Sequence, residues 1–252
     1  MKVYFIGAGP GDPELVTLKA QRLLGTCPIC IYAGSLINPE LLDFLPAKAE
    51  RYDSARMSLD EITLLFESAA QRNLDVARLH SGDPSIYGAI REQMDELDRL
   101  GIAYEVVPGV SSFQAAAAAL CTELTAPEIS QTIILTRTAG RTPMPEEQDL
   151  LKLAASNATL CIFLSAHKIA EVAATLSGAY GTDCPAAVVY HASWPDQMIL
   201  RGTLAAIGEQ AEKAGISKTA MIVVGRALSR NLPVSKLYDP GFDHEFRRAK
   251  SS

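Results

Sequence analysis

Short runs rich in valine and isoleucine recur along the first half of this chain, and each is followed by a stretch with helical spacing. VYFIG (3–7) precedes PELVTLKAQRLLG, and ICIYAG (29–34) leads towards SLDEITLLFESAAQR. LDVARLHSG (74–82) precedes SIYGAIREQMDELDRLG, and IAYEVVPG follows. In the stretch from Ser58, residues Leu59, Ile62, Leu65, Phe66 and Ala69 fall on one helical face, and Ser58 with Glu61 forms a capping box in front of it. Strands alternating with amphipathic helices predict a mostly parallel sheet covered on both faces.

The pattern then restarts. Gln131–Thr138, Ala158–Ala166, Pro185–Ala192 and Thr219–Gly225 read as strands, and a helix is expected from Thr203. The short run Gln197–Gly202 follows a tight turn around Trp194, which predicts antiparallel pairing with its neighbour. Between the two halves, Pro108–Cys121 is a helix of small residues, so a boundary is expected there. The expected organisation is an α/β chain with one domain over 1–112, a second over 113–230, and a tail over 231–252 that lacks apolar periodicity.

The 252 residues carry a net charge of −6, which argues against a broad nucleic-acid surface while leaving room for a local basic patch. No apolar run reaches the ~18 residues of a membrane span, and MKVYFIG is too short for a secretion signal. A cytoplasmic protein without nucleic-acid or membrane partners is expected. Cys27-Pro-Ile-Cys30 has redox spacing, but Cys30 enters a strand instead of opening a helix, so inert, reduced thiols are expected. No Cys/His cluster has zinc spacing, and no metal site is expected.

The glycine-rich turn after the first strand, GAGPGD (7–12), is a poor dinucleotide loop. Counting from Gly7, the third fingerprint glycine falls on Asp12, and Pro10 removes an N–H from the cradle. No acid closes the second strand, and no Walker lysine is present. A second turn, HSGDPSIYG (80–88), places Asp83 after a strand, where it suits a ligand with hydroxyls and positive charge. S-adenosylmethionine has both. A third small-residue loop, PGVSS (108–112), ends the next strand. Open α/β sheets bind ligands at such strand ends. The alternative for Asp83 is plain turn chemistry, as a helix N-cap.

VYFIGAGPGDPELVTLKA, LHSGDPSIYG, VPGVSSFQAAAA, TLCIFL and TAMIVVG together resemble the tetrapyrrole methylases, from Val3 to about Gly225. The resemblance implies two α/β domains with a ligand cleft between them, an S-adenosylmethionine cofactor released as S-adenosylhomocysteine, a tetrapyrrole substrate and a homodimer. It implies cofactor contacts at Pro10, Gly82, Asp83, Ile86, Ser111, Ser112, Leu164, Ala192 and Ala220. YAGSLIN (32–38) and AALCTELTAPEISQTIILTR (118–137) resemble the branch that methylates carbon 11 of precorrin-4 or its cobalt form in cobalamin synthesis. A sibling acting at another ring carbon or on uroporphyrinogen III, a diphthamide-forming methylase of the same fold and a non-catalytic nucleotide binder remain alternatives. No catalytic residue is identified. Arg51, Arg56, Arg137, Arg141, Lys168 and Arg201 are candidate partners for substrate carboxylates. His80 is a candidate base, set against a packed strand-end histidine, and Tyr87 a candidate substrate contact. Trp194 reads as structural or as a dimer contact.

Overall fold

The computed structural model describes residues 1–140, 142–238, 241–243 and 245–248. The chain divides into two compact units: Met1–Ala115 with His191–Asp196, and Ala116–Tyr190 with Gln197–Ser252. The division after Ala115 lies within the small-residue stretch Pro108–Cys121. The return of six residues to the first unit was not visible in the sequence.

In the first unit, β1 (Lys2–Gly7), β2 (Ile29–Tyr32), β3 (Glu50–Asp53), β4 (Val76–His80) and β5 (Ala103–Val107) form one sheet in the order β3-β2-β4-β1-β5. All of its pairings are parallel. Because side chains alternate along a strand, β1 sends Ile6 into a cluster with Ala20, Leu23 and Leu24 of α1 (Leu18–Leu24). It sends Val3 and Phe5 into another cluster, with Ile62 and Phe66 of α2 (Leu59–Gln71) and Leu97 of α3 (Arg91–Leu100). Both faces are therefore covered, as the pattern predicts, and β4 at the centre is buried throughout.

The capping box on α2 forms: Glu61 N donates to Ser58 Oγ at 3.3 Å and Ser58 N to Glu61 Oε2 at 2.7 Å. Ile62, Phe66 and Ala69 are buried, whereas Leu59 is 37% exposed, so the apolar stripe begins one turn later than the spacing suggested. The helix after the second loop is also shorter than expected. Tyr87 and Ala89 take left-handed backbone, φ 55° and 48°, which no α-helix accommodates, and α3 starts only at Arg91. The strand β3 has no counterpart in the sequence reading. Its four residues, ERYD, lie at the sheet edge with alternating exposure and offer no apolar run.

In the second unit, which opens within α4 (Ser112–Ala119), the sheet order is β6-β7-β10-β8-β9. The strands are β6 (Ile133–Arg137), β7 (Thr159–Phe163), β8 (Pro185–Tyr190), β9 (Met198–Thr203) and β10 (Ala220–Val224). Only β6 and β7 are parallel; β10 is antiparallel to both β7 and β8. β8 and β9 pair antiparallel, Pro185 against Thr203 and Tyr190 against Met198, as the tight turn predicts. The expectation of a mostly parallel sheet thus fails here. The β8–β9 hairpin reverses the chain, and the crossover through α7 (Leu204–Lys213) then sets β10 on the far side of β8. Alternate residues of β7, β8 and β10, among them Leu160, Ile162, Val188, Ile222 and Val224, form one core with α5 (Leu150–Ala154), α6 (Ile169–Tyr180) and α7. No helix among the described residues is long and apolar enough to cross a membrane.

The edge strand β3 is held by charge. Glu50 accepts from Tyr52 Oη at 2.7 Å and from the Arg72 guanidinium, and these hydrogen bonds, Arg72 first, pull its carboxyl from 4.5 down to about 2. A depressed folded-state pKa contributes stability above pH 4.5 that is lost as pH falls towards 2. Glu50→Gln is therefore expected to flatten the decline in stability across that window, measured by urea unfolding at stepped pH. An unchanged slope would assign the acid sensitivity to other carboxylates.

Candidate functional site

The parallel register of β1 with β4 and β5, Gly7 beside His80 and Ile6 beside Val107, brings the three loops that follow them out side by side. Backbone hydrogen bonds tie the first two together. Ala8 N donates to His80 O at 2.8 Å, Gly82 N to Gly9 O at 2.8 Å and Gly9 N to Gly82 O at 3.3 Å. The third loop comes so close that a Cβ on Gly109 would lie 2.7 Å from Gly7 Cα and nearer still to Gly82 O. Only hydrogen fits there.

Asp83 locks this arrangement. Its Oδ2 accepts from Gly109 N at 2.9 Å, and its Oδ1 accepts from Ser85 N at 2.8 Å and from the Ser85 hydroxyl. Burial alone would raise its pKa, but the bonds from Ser85 and Gly109 outweigh that and hold the carboxyl below the ordinary aspartate range. The helix-cap alternative does not hold, since α3 begins eight residues later; what Asp83 caps is the turn at Ser85, and it staples the second loop to the third. Ser111, buried, opens the first turn of α4, with its N donating to Gln114 Oε1 at 2.9 Å, and Ser112 is the first residue of that helix. Ile86 is half-buried in the second loop, its N donating to Asp83 O at 3.2 Å.

The first loop is held from a distance in sequence. Trp194 Nε1 donates to Pro10 O at 2.9 Å, Asp12 N to Ser193 Oγ at 3.0 Å and Asn38 Nδ2 to Gly11 O at 2.8 Å. A Cβ on Gly11 would collide with the Trp194 ring. His191 braces this segment, with Nδ1 2.9 Å from both carboxylate oxygens of Asp196 and its ring 5.5 Å from that of Trp194. Ala192 is buried in the same segment, hence in the first unit. Asp12, the residue that spoils a dinucleotide loop, caps the short helical turn Pro13–Leu15 by accepting from Glu14 N at 2.8 Å.

In the second unit, Leu164 follows β7 in left-handed backbone, φ 55°, and is 67% exposed. Ala220 opens β10 beside Tyr190. Extending the β10–β7 register from Ile222 and Ile162 sets Ala220 opposite Leu164, so both occupy one end of this sheet. Ser165 is fully buried there. It accepts from Thr138 N at 2.9 Å and donates to Phe163 O at 2.7 Å, which anchors the turn that presents Leu164.

The cation candidates divide. Arg51 and Arg56 are exposed. Arg137 spends its guanidinium on the carbonyls of Thr138, Thr142 and Pro143, Arg201 donates to Leu120 O, and Lys168 pairs with Glu171 at 3.4 Å. Arg141 lies outside the described residues. His80 is 7% exposed, and burial first, then the nearby Arg78 charge, pushes its pKa down to about 3, so it is neutral and a weak base. Tyr87 is exposed on the second loop. Cys27 and Cys30 are buried, and desolvation pushes both thiols up to about 12, which leaves them unreactive. Among the described residues no group of three or more His, Cys, Asp and Glu side chains is placed to hold a metal. Arg78 is a further residue of interest, and its one signal in the sequence is its isolation as a cation inside the apolar strand VARLH.

Three interlocked small-residue loops at the carboxyl ends of β1, β4 and β5 in a parallel α/β unit, followed by a mixed-sheet unit, define a family. The family model for the tetrapyrrole (corrin/porphyrin) methylases matches residues 2–208, and the chain belongs to that family. It is 51% identical over 250 residues to a cobalt-precorrin-4 C(11)-methyltransferase of Methanocaldococcus jannaschii, covering 98% of this chain and 96% of that protein. It is 53% identical over 240 residues to a precorrin-4 C(11)-methyltransferase of Rhodococcus erythropolis, covering 94% and 96%. Its structure is similar to that of a cobalt precorrin-4 methyltransferase of cobalamin biosynthesis, with a TM-score of 0.89 at 43% identity, covering 91% and 96%. It is also similar to a uroporphyrin-III C-methyl transferase from Thermus thermophilus complexed with S-adenosyl homocysteine, with a TM-score of 0.76 at 28% identity, covering 94% and 99%.

Removing the staple should loosen the loops. Asp83→Ala leaves Gly109 N without its acceptor and is expected to cost about 1–3 kcal/mol, read by urea unfolding. A stability equal to the parent's would mean that the loops hold together without it.

Proposed function

We propose that this chain transfers a methyl group from S-adenosylmethionine to carbon 11 of precorrin-4, giving precorrin-5 and S-adenosylhomocysteine, with cobalt-precorrin-4 as the alternative substrate. The observation that carries the reading is identity of 51–53%, over at least 94% of the chain, to methyltransferases named for that carbon. The resemblance further implies a homodimer working in the cytoplasm.

The residues fit the cofactor. In the second unit, Leu164, a large apolar side chain exposed just after β7, and the small Ala220, first residue of β10, lie at one end of the sheet, which suits a flat ring such as adenine. In the first unit, Pro10, Gly82, Asp83, Ile86, Ser111, Ser112 and Ala192 are the proposed contacts. Asp83 stays ionised, which suits a cationic ligand. S-adenosylmethionine supplies the methyl as an electrophile on a sulfonium whose charge disperses as the group departs.

A pyrrole-type carbon is itself electron rich, so the chain need not generate a nucleophile. Its task is to hold the reacting atoms aligned, roughly 3–3.5 Å apart, and a backbone knot cross-linked by hydrogen bonds is suited to that. His80, neutral with a pKa of about 3, takes up no proton near neutral pH.

Incubation with precorrin-4 and carbon-13-methyl-labelled S-adenosylmethionine, followed by NMR, is expected to show one new methyl at carbon 11. A methyl at carbon 17 or 20, or activity on uroporphyrinogen III alone, would keep the family and overturn the assignment. Ala220→Leu is expected to weaken S-adenosylhomocysteine binding about tenfold or more by crowding the ring, read by calorimetry with stability measured in parallel. Unchanged affinity in a folded variant would displace the adenine from this strand end.

A further inference from the structure

Arg78 is a buried cation without an anion. It lies in β4, at the centre of the first unit's sheet, on the same face as Val76, towards α2 and α3, and is 6% exposed. Nε donates to Gln93 Oε1 at 2.9 Å and Nη1 to Ser54 Oγ at 3.0 Å. Both acceptors are neutral, and both are oriented by further bonds: Gln93 Nε2 donates to Ala89 O at 2.9 Å and Ser54 Oγ to Tyr32 O at 3.1 Å. Among the described residues no carboxylate pairs with Arg78. Desolvation outweighs what its neighbours return, and the guanidinium pKa falls to about 10. A charge this deep is costly unless an anion meets it.

Its surroundings are largely apolar, with Arg78 as the one cation among them. Arg78 lines a cavity of about 490 Å³ together with Ala33 and Ser35 after β2, Leu59 at the start of α2, and Gly88 and Gln93 around the start of α3. That volume suits an organic arm, not merely an ion. The amino end of α3 has no side-chain cap, so its first-turn amides and the positive end of its dipole remain available. Glu92 is the one acid among the lining residues, and it is exposed at the rim. Nη2 of Arg78 donates to no described residue and is not sealed from solvent.

We propose that this cavity is a carboxylate subsite, in which Arg78 and the amino end of α3 hold one acidic side arm of the tetrapyrrole. The proposal rests on the reading of the chain as a tetrapyrrole methylase. Its consequence is rotational. A macrocycle with several similar arms can be seated in several orientations, and an anchor for one arm selects which ring carbon is presented for methylation.

The test compares the parent protein with Arg78→Met and Arg78→Lys in turnover of precorrin-4, in affinity for S-adenosylhomocysteine and in urea unfolding. Arg78→Met removes a lone buried charge at similar volume but leaves Gln93 Oε1 and Ser54 Oγ without its donors, two opposing effects that should leave stability close to the parent's, with cofactor affinity unchanged and KM for precorrin-4 raised about tenfold to a hundredfold. Arg78→Lys keeps the charge without the fork and should lie between. Arg78→Met with unaltered KM, or with stability and both affinities falling together, would make the residue structural and overturn the subsite. Should Arg78→Met not fold, an unaltered KM in Arg78→Lys does the same. Fluorescence binding of uroporphyrin, a stable polycarboxylate macrocycle, separates the two levels of inference. No turnover of precorrin-4 by the parent, with uroporphyrin binding that drops in Arg78→Met, would sink the proposed function and keep the subsite. Turnover with equal KM in parent and variant would keep the function and sink the subsite.

Discussion

The close approach of three glycines organises the first unit. Gly7, Gly82 and Gly109 follow neighbouring parallel strands; a Cβ on Gly7 or Gly109 would run into the facing backbone, whereas Gly82 has room for one and is required by its left-handed φ of 65°. Steric fit alone would leave such loops free to spread. Asp83 prevents it by accepting from Gly109 N on one oxygen and from Ser85 on the other. An ionised acceptor makes these bonds stronger than neutral ones. The peptide groups at the strand ends are thereby fixed in direction, and the loops they begin inherit that order.

The same economy governs the first loop. Its proline and its aspartate are poor tools for holding phosphate, and both find other work. Pro10 offers its carbonyl to Trp194, and Asp12 caps a helical turn while its amide donates to Ser193. The anchoring residues come from His191–Asp196, which His191 and Asp196 brace internally. Methyl transfer to an electron-rich carbon asks for alignment more than for acid–base chemistry, and loops held by backbone hydrogen bonds and carboxylate caps answer that need.

Charge is placed sparingly. The chain is acidic overall, and several of its cations are committed to structure: Arg137 and Arg201 hold backbone carbonyls, Arg72 fixes the edge strand through Glu50, and Arg226 pairs with Asp183. Arg78 stands apart because its partners are neutral and a cavity lies beside it. In an acidic molecule, one desolvated guanidinium exerts more discrimination than several exposed ones, since solvent screens the latter.

Local pattern by itself determined the strands of the first unit that carry apolar runs, the capping box at Ser58 and Glu61, the β8–β9 hairpin and the small-residue character of the loops. Each follows from residues within a few positions of one another, and the motifs that carry the family resemblance are equally local. The sequence did not reveal β3, whose ERYD becomes a strand only because β2 offers it an edge. It did not reveal the antiparallel seat of β10 between β7 and β8, which depends on how a crossover closes over a hairpin. The roles of Asp83, Trp194 and Arg78 were hidden for the same reason. Asp83 meets Gly109 across 26 positions and Trp194 meets Pro10 across 184, while the meaning of Arg78 lies in the neutral partners, Gln93 and Ser54, that the fold gives it. Hydrogen bonding and burial at those distances are set by where the sheet brings the chain, and no spacing along the sequence records them.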